Sequence, residues 1–189
     1  MQLRDMVRVS LFAALMAALG LFPRLDIPLA GGVPITLQTL GVMMAGVFLG
    51  ARLGFASVAL FLFVVLLGAP LLAGGRGGLG VLFTPSAGYL IGYPIGAFVV
   101  GWLMRLGSGK GVFLRALLAC FLGGVVVIHF AGIAGLVWKT SMSWQQALLA
   151  DLVFVPGDVL KALACAYLAS LMPDQTIAAA AKSDPRSYP

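Results

Sequence analysis

The sequence predicts an all-α integral membrane protein with six transmembrane helices, on the evidence of its composition, its apolar segments and its length. Hydrophobic residues make up 61% of the chain and charged residues 10%, whereas a soluble domain carries about 25% charged residues. A chain of 189 residues has room for six spans of roughly 20 residues each. We expect one membrane domain over residues 1–173 and a polar, disordered cytoplasmic tail over 174–189.

The first span is predicted from about Val7 to Phe22, where Pro23 ends it. Its inner part carries two overlaid pairs of small residues at i and i+4, which let another helix approach closely where the hydrophobic effect does not drive association. The pairs are Ala13 with Ala17 and Ala14 with Ala18. They indicate either packing within the chain or a docking face for a partner membrane protein.

Residues 23–36 form a predicted loop, because three prolines and two glycines prevent regular helix. The loop is apolar, which favours a flap over a cavity. Span 2, over 37–50, begins with Gln38 and Thr39. These polar groups would be costly against lipid and should face the interior. Span 3, over 55–72, is uniformly apolar.

A glycine-rich segment with one arginine, Arg76, follows over 73–87. Residues 75–80 match the G-x-G-x-x-G spacing of dinucleotide-binding sites. That motif requires a βαβ unit and a following acidic residue, and the next acidic residue here is Asp151. We therefore expect a flexible or re-entrant segment whose backbone, at Gly78 for example, comes close to a ligand.

Span 4, over 87–106, contains Tyr89, which suits either an interfacial anchor or a residue of the site. Three glycines at strict i+4 spacing predict a close-packing ridge on this span: Gly88, Gly92 and Gly96. Span 5, over 114–138, contains the one histidine of the chain, His129. This side chain is either a hydrogen-bonded packing residue or a ligand and proton-relay residue.

Span 6 begins at a capping box, Ser143 with Gln146, and reaches Met172. A helix of about 30 residues is longer than the bilayer is thick. We therefore expect its start to project beyond the bilayer or Pro156 to kink it.

Two ionisable residues in span 6, Asp158 and Lys161, share one helix face because they are three positions apart. A charged residue in a span costs roughly 2.5–3.5 kcal/mol on insertion scales, so it marks a functional site by default. With Arg76, the pair predicts a pocket for a small amphiphile that has an amide-like or urea-like head and an acid group. The alternative is a purely structural ion pair.

Basic residues predict the topology, since cytoplasmic loops are enriched in them. Eight fall on one side of the six-span arrangement and three on the other, which places both termini in the cytoplasm. The outer three are Arg24, Arg76 and Lys139. The loop over 23–36, the glycine-rich segment and the start of span 6 then share the outer side, where they cap an outward-facing pocket.

Several function classes are excluded by missing motifs. The chain has no H-E-x-x-H, no G-x-S-x-G and no complete Walker A sequence, so it is not expected to be an enzyme, to bind a metal or cofactor, or to bind nucleotides itself. Its net charge of +6 reflects topology and not nucleic-acid binding. Cys120 and Cys165 lie in apolar runs and are expected to be small buried side chains.

Three segments together resemble the BioY family, the biotin-specific S components of energy-coupling factor (ECF) transporters. They are Val33-Pro-Ile-Thr-Leu-Gln-Thr-Leu-Gly41, the run from Gly74 to Gly96 that includes Pro85-Ser-Ala-Gly-Tyr-Leu-Ile-Gly92, and Pro156-Gly-Asp-Val-Leu-Lys161. With the six spans, the resemblance covers most of the chain before the tail.

The resemblance implies a six-helix protein in the bacterial cytoplasmic membrane that captures biotin with high affinity from outside. A transmembrane coupling subunit and two ATPase subunits would drive import, and the resemblance allows a homo-oligomer. It implies that the span 1 alanines contact the coupling subunit. The alternatives are an S component for another vitamin and a stand-alone proton-coupled uptake protein.

Site residues follow from the same resemblance. It implies that Asp158 accepts from the ureido N–H groups of biotin and that Lys161 donates to the ureido oxygen or the carboxylate. Gln38 and Tyr89 would be walls of the site. Arg76 would pair with the valerate carboxylate, although family members often carry a small residue at this position.

Overall fold

The structure, a computed structural model, describes residues 2–26, 31–106 and 111–172. Within these ranges the chain is helical and forms no β-strand, only two isolated antiparallel bridges. The predicted tail over 174–189 lies outside the described residues, as do three basic residues counted for the topology, Lys110, Lys182 and Arg186.

Seven α-helical segments form the described part of the chain. They are α1 (Leu3–Gly20), α2 (Gln38–Leu66), α3 (Ala87–Leu106), α4 (Val112–Ala119), α5 (Ile128–Lys139), α6 (Trp144–Asp151) and α7 (Val155–Ser170). A π-helical segment, Cys120–Val127, joins α4 to α5 into one continuous span, Val112–Lys139. A short 3₁₀ helix, Leu79–Phe83, precedes α3.

The helix α2 folds back on itself at Gly50. This residue has a φ of 78°, a left-handed conformation that glycine adopts without steric cost. A Cβ on Gly54 would lie 2.8 Å from the carbonyl oxygen of Ala45, a distance that a straight helix with a rise of about 1.5 Å per residue does not allow. The segments 38–49 and 51–66 are therefore antiparallel and correspond to predicted spans 2 and 3.

The second arm of this hairpin ends at Leu66, so the prediction that span 3 continues to Leu72 is wrong. Gly68 has a φ of 113° and Pro70 follows it. Proline lacks an N–H group and disfavours a helical residue before it, so the helix stops.

Contacts between helices show that the direction of successive spans alternates. Gln38, at the start of α2, bonds to the carbonyl oxygen of Leu71, whereas Gly50 at the tip of the hairpin packs against Gly101 near the end of α3. The first turn of α3 in turn packs against the last turns of α5. Consecutive spans therefore run antiparallel, and the six-helix architecture predicted from the sequence is confirmed.

The glycine ridge of α3 packs against α5, as its spacing predicts. A Cβ on Gly88 would collide with the carbonyl oxygen of Ala131, and one on Gly96 would lie 2.7 Å from Cγ1 of Ile128. The two backbones are thus in contact along this ridge.

The last span is broken. Its two parts, α6 and α7, meet at an angle of 49°. The capping box is present at the start, because the Ser143 hydroxyl accepts from the N–H of Gln146 and the Gln146 side chain accepts from the N–H of Ser143. Pro156 lies in the first turn of α7, where its missing N–H has no cost. The bend therefore precedes Pro156 instead of being centred on it.

The outward surface of the bundle is apolar. Large exposed side chains such as Phe63, Trp102, Phe130 and Leu160 point away from the core. Three helices are long and apolar enough to cross a bilayer when the hairpin α2 is counted from end to end, and the bent pair α6 and α7 makes a fourth candidate. The buried thiols of Cys120 and Cys165 are free, in agreement with their predicted role as small core side chains.

Candidate ligand site between the two covering segments

A cavity of about 40 Å³ lies at the end of the bundle where residues 33–36 meet the glycine-rich segment over 73–87. We call these two stretches the covering segments. Five of the six predicted ligand residues line it: Asp158, Lys161, Gln38, Tyr89 and Arg76. Pockets for vitamin-sized ligands measure roughly 300–1,000 Å³. In the described conformation the cavity is smaller than this range.

Asp158 is the centre of the site. It is buried in the first turn of α7, and its Oδ1 accepts from the Thr39 hydroxyl at 2.6 Å and from Nζ of Lys161 at 2.7 Å. The same lysine donates to Thr39 Oγ1 at 3.0 Å. The i,i+3 pair predicted from the sequence is therefore formed, and Thr39 ties it to α2.

A second set of buried side chains continues from the other oxygen of Asp158. Nε2 of His129 lies 2.9 Å from Asp158 Oδ2, and Nδ1 of His129 lies 2.7 Å from Oδ2 of Asp151. Oδ1 of Asp151 accepts from the Tyr89 hydroxyl at 2.7 Å. The chain Tyr89–Asp151–His129–Asp158 thus connects α3, α6, α5 and α7.

The sequence reasoning missed Asp151 and the role of His129. Asp151 carries the same signal that identified Asp158, an acidic residue among apolar ones in a span. His129 was interpreted as either a hydrogen-bonded packing residue or a ligand and proton-relay residue, but nothing in its sequence neighbours indicates two carboxylates. Asp151 lies at the end of α6 and Asp158 in the first turn of α7, on either side of the bend, and His129 contacts both.

Gln38 holds the covering segment in place. Its Nε2 donates to the Leu71 carbonyl oxygen at 3.1 Å, and its Oε1 accepts from the Ala73 N–H at 3.4 Å. Both ends of the amide are therefore engaged with the backbone that leads into the glycine run. The predicted interior position of Gln38 agrees with its burial.

Arg76 is the cation on the covering side. Its Nε donates to the Ala73 carbonyl oxygen at 3.3 Å and its NH1 to the Ser86 hydroxyl at 3.1 Å. Burial, and then the neighbouring Arg24 guanidinium, lower the pKa of Arg76, but a guanidinium remains charged at neutral pH. Arg24 itself pairs with Asp26 at 3.0 Å.

The formal charges around the cavity sum to one positive charge when His129 is doubly protonated. Asp151 and Asp158 are two buried carboxylates, Lys161 is one cation, and His129 is a second cation in that protonation state. The hydrogen bonds of Arg76 within the described residues go to neutral groups. The site is therefore electrostatically suited to a ligand with one negative charge.

Gly78 does not line the cavity. Its φ is 79° and its N–H donates to the Val65 carbonyl oxygen at 2.8 Å. Its predicted contact with a ligand stays a prediction. Within the described residues, no group of three or more His, Cys, Asp or Glu side chains is arranged to hold a metal ion.

The small residues of α1 divide into two faces. Ala13 and Ala17 pack against the core, whereas Ala14 and Ala18 are exposed. The first pair serves packing within the chain, and the second remains available to a partner.

Comparison with known proteins gives consistent results. The model of the BioY family matches residues 1–177. A biotin transporter BioY of Rhizobium etli is 43% identical over 173 residues, which is 89% of this chain and 92% of the relative. A probable biotin transporter BioY of Bacillus subtilis is 43% identical over 172 residues, covering 89% and 90% of the two chains.

A solved structure has the same fold. It is described as the S-component for biotin from an ECF-type ABC transporter, and it superposes with a TM-score of 0.82 at 32% sequence identity. The match covers 89% of each chain.

Proposed function

The chain belongs to the BioY family, and from this premise we propose that it binds biotin and serves as the substrate-capture component of an ECF transporter. The observation that carries the proposal is the buried Asp158–Lys161 pair, which lines one cavity together with Arg76. Biotin offers two ureido N–H donors, one ureido carbonyl acceptor and one carboxylate. The three side chains supply matching groups.

The hydrogen-bond positions that stay unused on Asp158 and Lys161 indicate which groups of biotin each side chain would contact. A carboxylate offers about four acceptor positions, and three donors within the protein use three of those on Asp158. One position on Oδ2 remains for a ureido N–H. Lys161 has three N–H donors, of which Asp158 and Thr39 receive two. The third is left for the ureido oxygen.

Arg76 is proposed to receive the carboxylate of biotin. It lies on the covering segment and carries the charge that the rest of the site does not balance. A charge-assisted contact from this segment would hold it down on the bound ligand. Arg76 would then combine recognition with closure of the site.

The partners are proposed from the exposed alanines. Ala14 and Ala18 form a small-residue stripe on the outer face of α1, where a membrane helix of the coupling subunit would pack. Two cytoplasmic ATPase subunits would supply the energy. The protein is a membrane protein, and we propose that it lies in the bacterial cytoplasmic membrane with both termini inside, since Arg52, Arg105 and Arg115 lie near the same end of the bundle as the start of α1 and the end of α7.

A calorimetric titration of the purified protein in detergent tests the proposal. We expect one biotin per chain and no heat from thiamine or riboflavin at the same concentrations. Binding of another vitamin in the absence of biotin binding would assign the chain to a different substrate.

A stand-alone proton-coupled carrier is the second candidate, which the buried chain Asp151–His129–Asp158 favours. Liposomes that contain this chain alone separate the two. We expect no biotin accumulation with or without a pH gradient, whereas accumulation that a protonophore abolishes would support the second candidate.

A further inference from the structure

His129 and Asp151 lie behind Asp158 and outside the cavity. Both are buried, with 5% and 2% of their surface exposed. The cavity is lined by Asp158 and by Tyr89, but by neither of these two residues. Any influence of His129 or Asp151 on a ligand must therefore pass through Asp158, which His129 contacts, or through Tyr89, which Asp151 contacts.

The hydrogen bonds form an ordered series that ends at the ligand site. The Tyr89 hydroxyl holds one oxygen of Asp151, the second oxygen holds Nδ1 of His129, and Nε2 of His129 holds Oδ2 of Asp158. Asp151 is the last residue of α6, at the bend before α7. The series therefore fixes the bend and the Asp158 carboxylate together.

The hydrogen-bond partners of the two ring nitrogens indicate the charge of His129. A neutral imidazole has one N–H donor and one acceptor nitrogen. Both ring nitrogens face a carboxylate oxygen, at 2.7 Å and 2.9 Å, and an ionised carboxylate only accepts. Both contacts are favourable together when the ring is doubly protonated. The titratable groups around the ring and its partners are then Asp151 from α6, Asp158 and Lys161 from α7, and Tyr89 and Tyr93 from α3.

We infer that His129 and Asp151 are positioning residues for biotin binding, an inference that rests on the proposed function. Asp151 holds a doubly protonated His129, which keeps Asp158 ionised and orients it so that the free acceptor position on Oδ2 faces the cavity. A buried ligand group fixed by a second layer of hydrogen bonds binds with less reorganisation.

Variants that replace His129 and Asp151 with neutral side chains test this inference through biotin affinity at two pH values. His129→Gln leaves two buried carboxylates with one cation, so we expect affinity at pH 7.5 to fall by about tenfold or more, since an unbalanced buried charge is costly. Affinity should be higher at pH 5.5 than at pH 7.5, because uptake of a proton by either carboxylate would remove the excess negative charge. The double variant His129→Gln/Asp151→Asn restores the balance and should bind within about threefold of the wild type at both pH values.

The control is Ser57→Ala, which removes another fully buried hydrogen bond, to the carbonyl oxygen of Val9, outside the site. It should lower the unfolding temperature without changing affinity. Unchanged affinity in His129→Gln would overturn the inference. So would a double variant that binds no better than the single one, because a merely structural role predicts additive damage.

Nuclear magnetic resonance measures the protonation of His129 in the wild type itself, and Asp151→Asn provides a comparison. The chain has one histidine, so ¹⁵N-histidine labelling of protein with a histidine-free tag gives one imidazole. At pH 7.5 we expect both ring nitrogens to be protonated in the wild type and one in Asp151→Asn. A neutral ring in the wild type would contradict the inference. Failure of the wild type to bind biotin would instead refute the proposed function.

Discussion

Individual residues of the site differ in how replaceable they are. Asp158 accepts hydrogen bonds from side chains of three helices. Its removal would leave Lys161 and a protonated His129 without their shared carboxylate partner. Arg76 donates to a backbone carbonyl and one hydroxyl on its own segment, so its removal leaves few unsatisfied groups. Arg76 is therefore the residue at which recognition is most easily separated from stability.

Replacement of Arg76 by Gln should weaken biotin binding selectively. A hydrogen bond to a charged group contributes roughly 1.5–3 kcal/mol, and we expect about a tenfold loss or more for biotin. The neutral amide of biotin should lose little, because it has no carboxylate. Calorimetry with both ligands measures the difference.

A matched control removes a cation that does not line the cavity. Lys139 lies over the rings of Phe83 and Trp138, and Lys139→Gln should leave both affinities unchanged. Equal losses for biotin and its amide in Arg76→Gln would argue that Arg76 only shapes the segment.

At the scale of single residues, the sequence predicted those members of the site whose residue type is unusual in a membrane span. Asp158 and Lys161 were found because charges in an apolar span are costly. The link through His129 to Asp151 was not found, since it joins residues of two different spans, α5 and α6. No one-dimensional spacing rule connects residue 129 to residue 151.

At the scale of helices, the glycines of α3 determine how closely α3 and α5 pack. We expect Gly88→Ala to destabilise the protein by about 1–3 kcal/mol, as overpacking does, because the added Cβ would collide with the Ala131 carbonyl. The loss should appear as a lower unfolding temperature in detergent.

Gly157 provides the control for this substitution. A Cβ at Gly157 meets nothing within 4 Å, and Gly157 lies in the first turn of α7. Gly157→Ala should be neutral or stabilise the helix by up to about 1 kcal/mol. Equal unfolding temperatures for Gly88→Ala and the wild type would refute the close-packing account.

Helix positions were predictable because apolar runs and Gly or Pro punctuation mark them. The end of the second arm of α2 and the location of the bend between α6 and α7 were not predictable in this way. At the end of the arm, beside the break at Gly68 and Pro70, the Val65 carbonyl oxygen accepts from the Gly78 N–H. That partner is far from the helix end in sequence.

At the scale of the whole molecule, capture and transport should be separable. The ligand cavity lies at one end of the bundle, and Ala14 and Ala18 lie on the outer face of α1, not on the cavity wall. Ala14→Leu/Ala18→Leu adds bulk to this face alone. We expect biotin binding to remain and biotin uptake in the presence of the coupling and ATPase subunits to be lost.

An equally bulky change on another exposed position is the control. Ala164 is exposed on α7, and Ala164→Leu should retain both binding and uptake. Uptake that persists in the α1 double variant would remove this face from the proposed interface.

The central claim is that the carboxylate of Asp158 recognises biotin, and calorimetry on Asp158→Asn tests it most directly. An amide keeps the shape of the side chain but loses the charge and one acceptor. We expect an affinity loss of at least about 1.4 kcal/mol, or tenfold, in protein that remains folded. Asp5→Asn, which alters a carboxylate in the first turn of α1 and outside the cavity lining, should bind as the wild type does. Unchanged biotin affinity in Asp158→Asn would contradict the account.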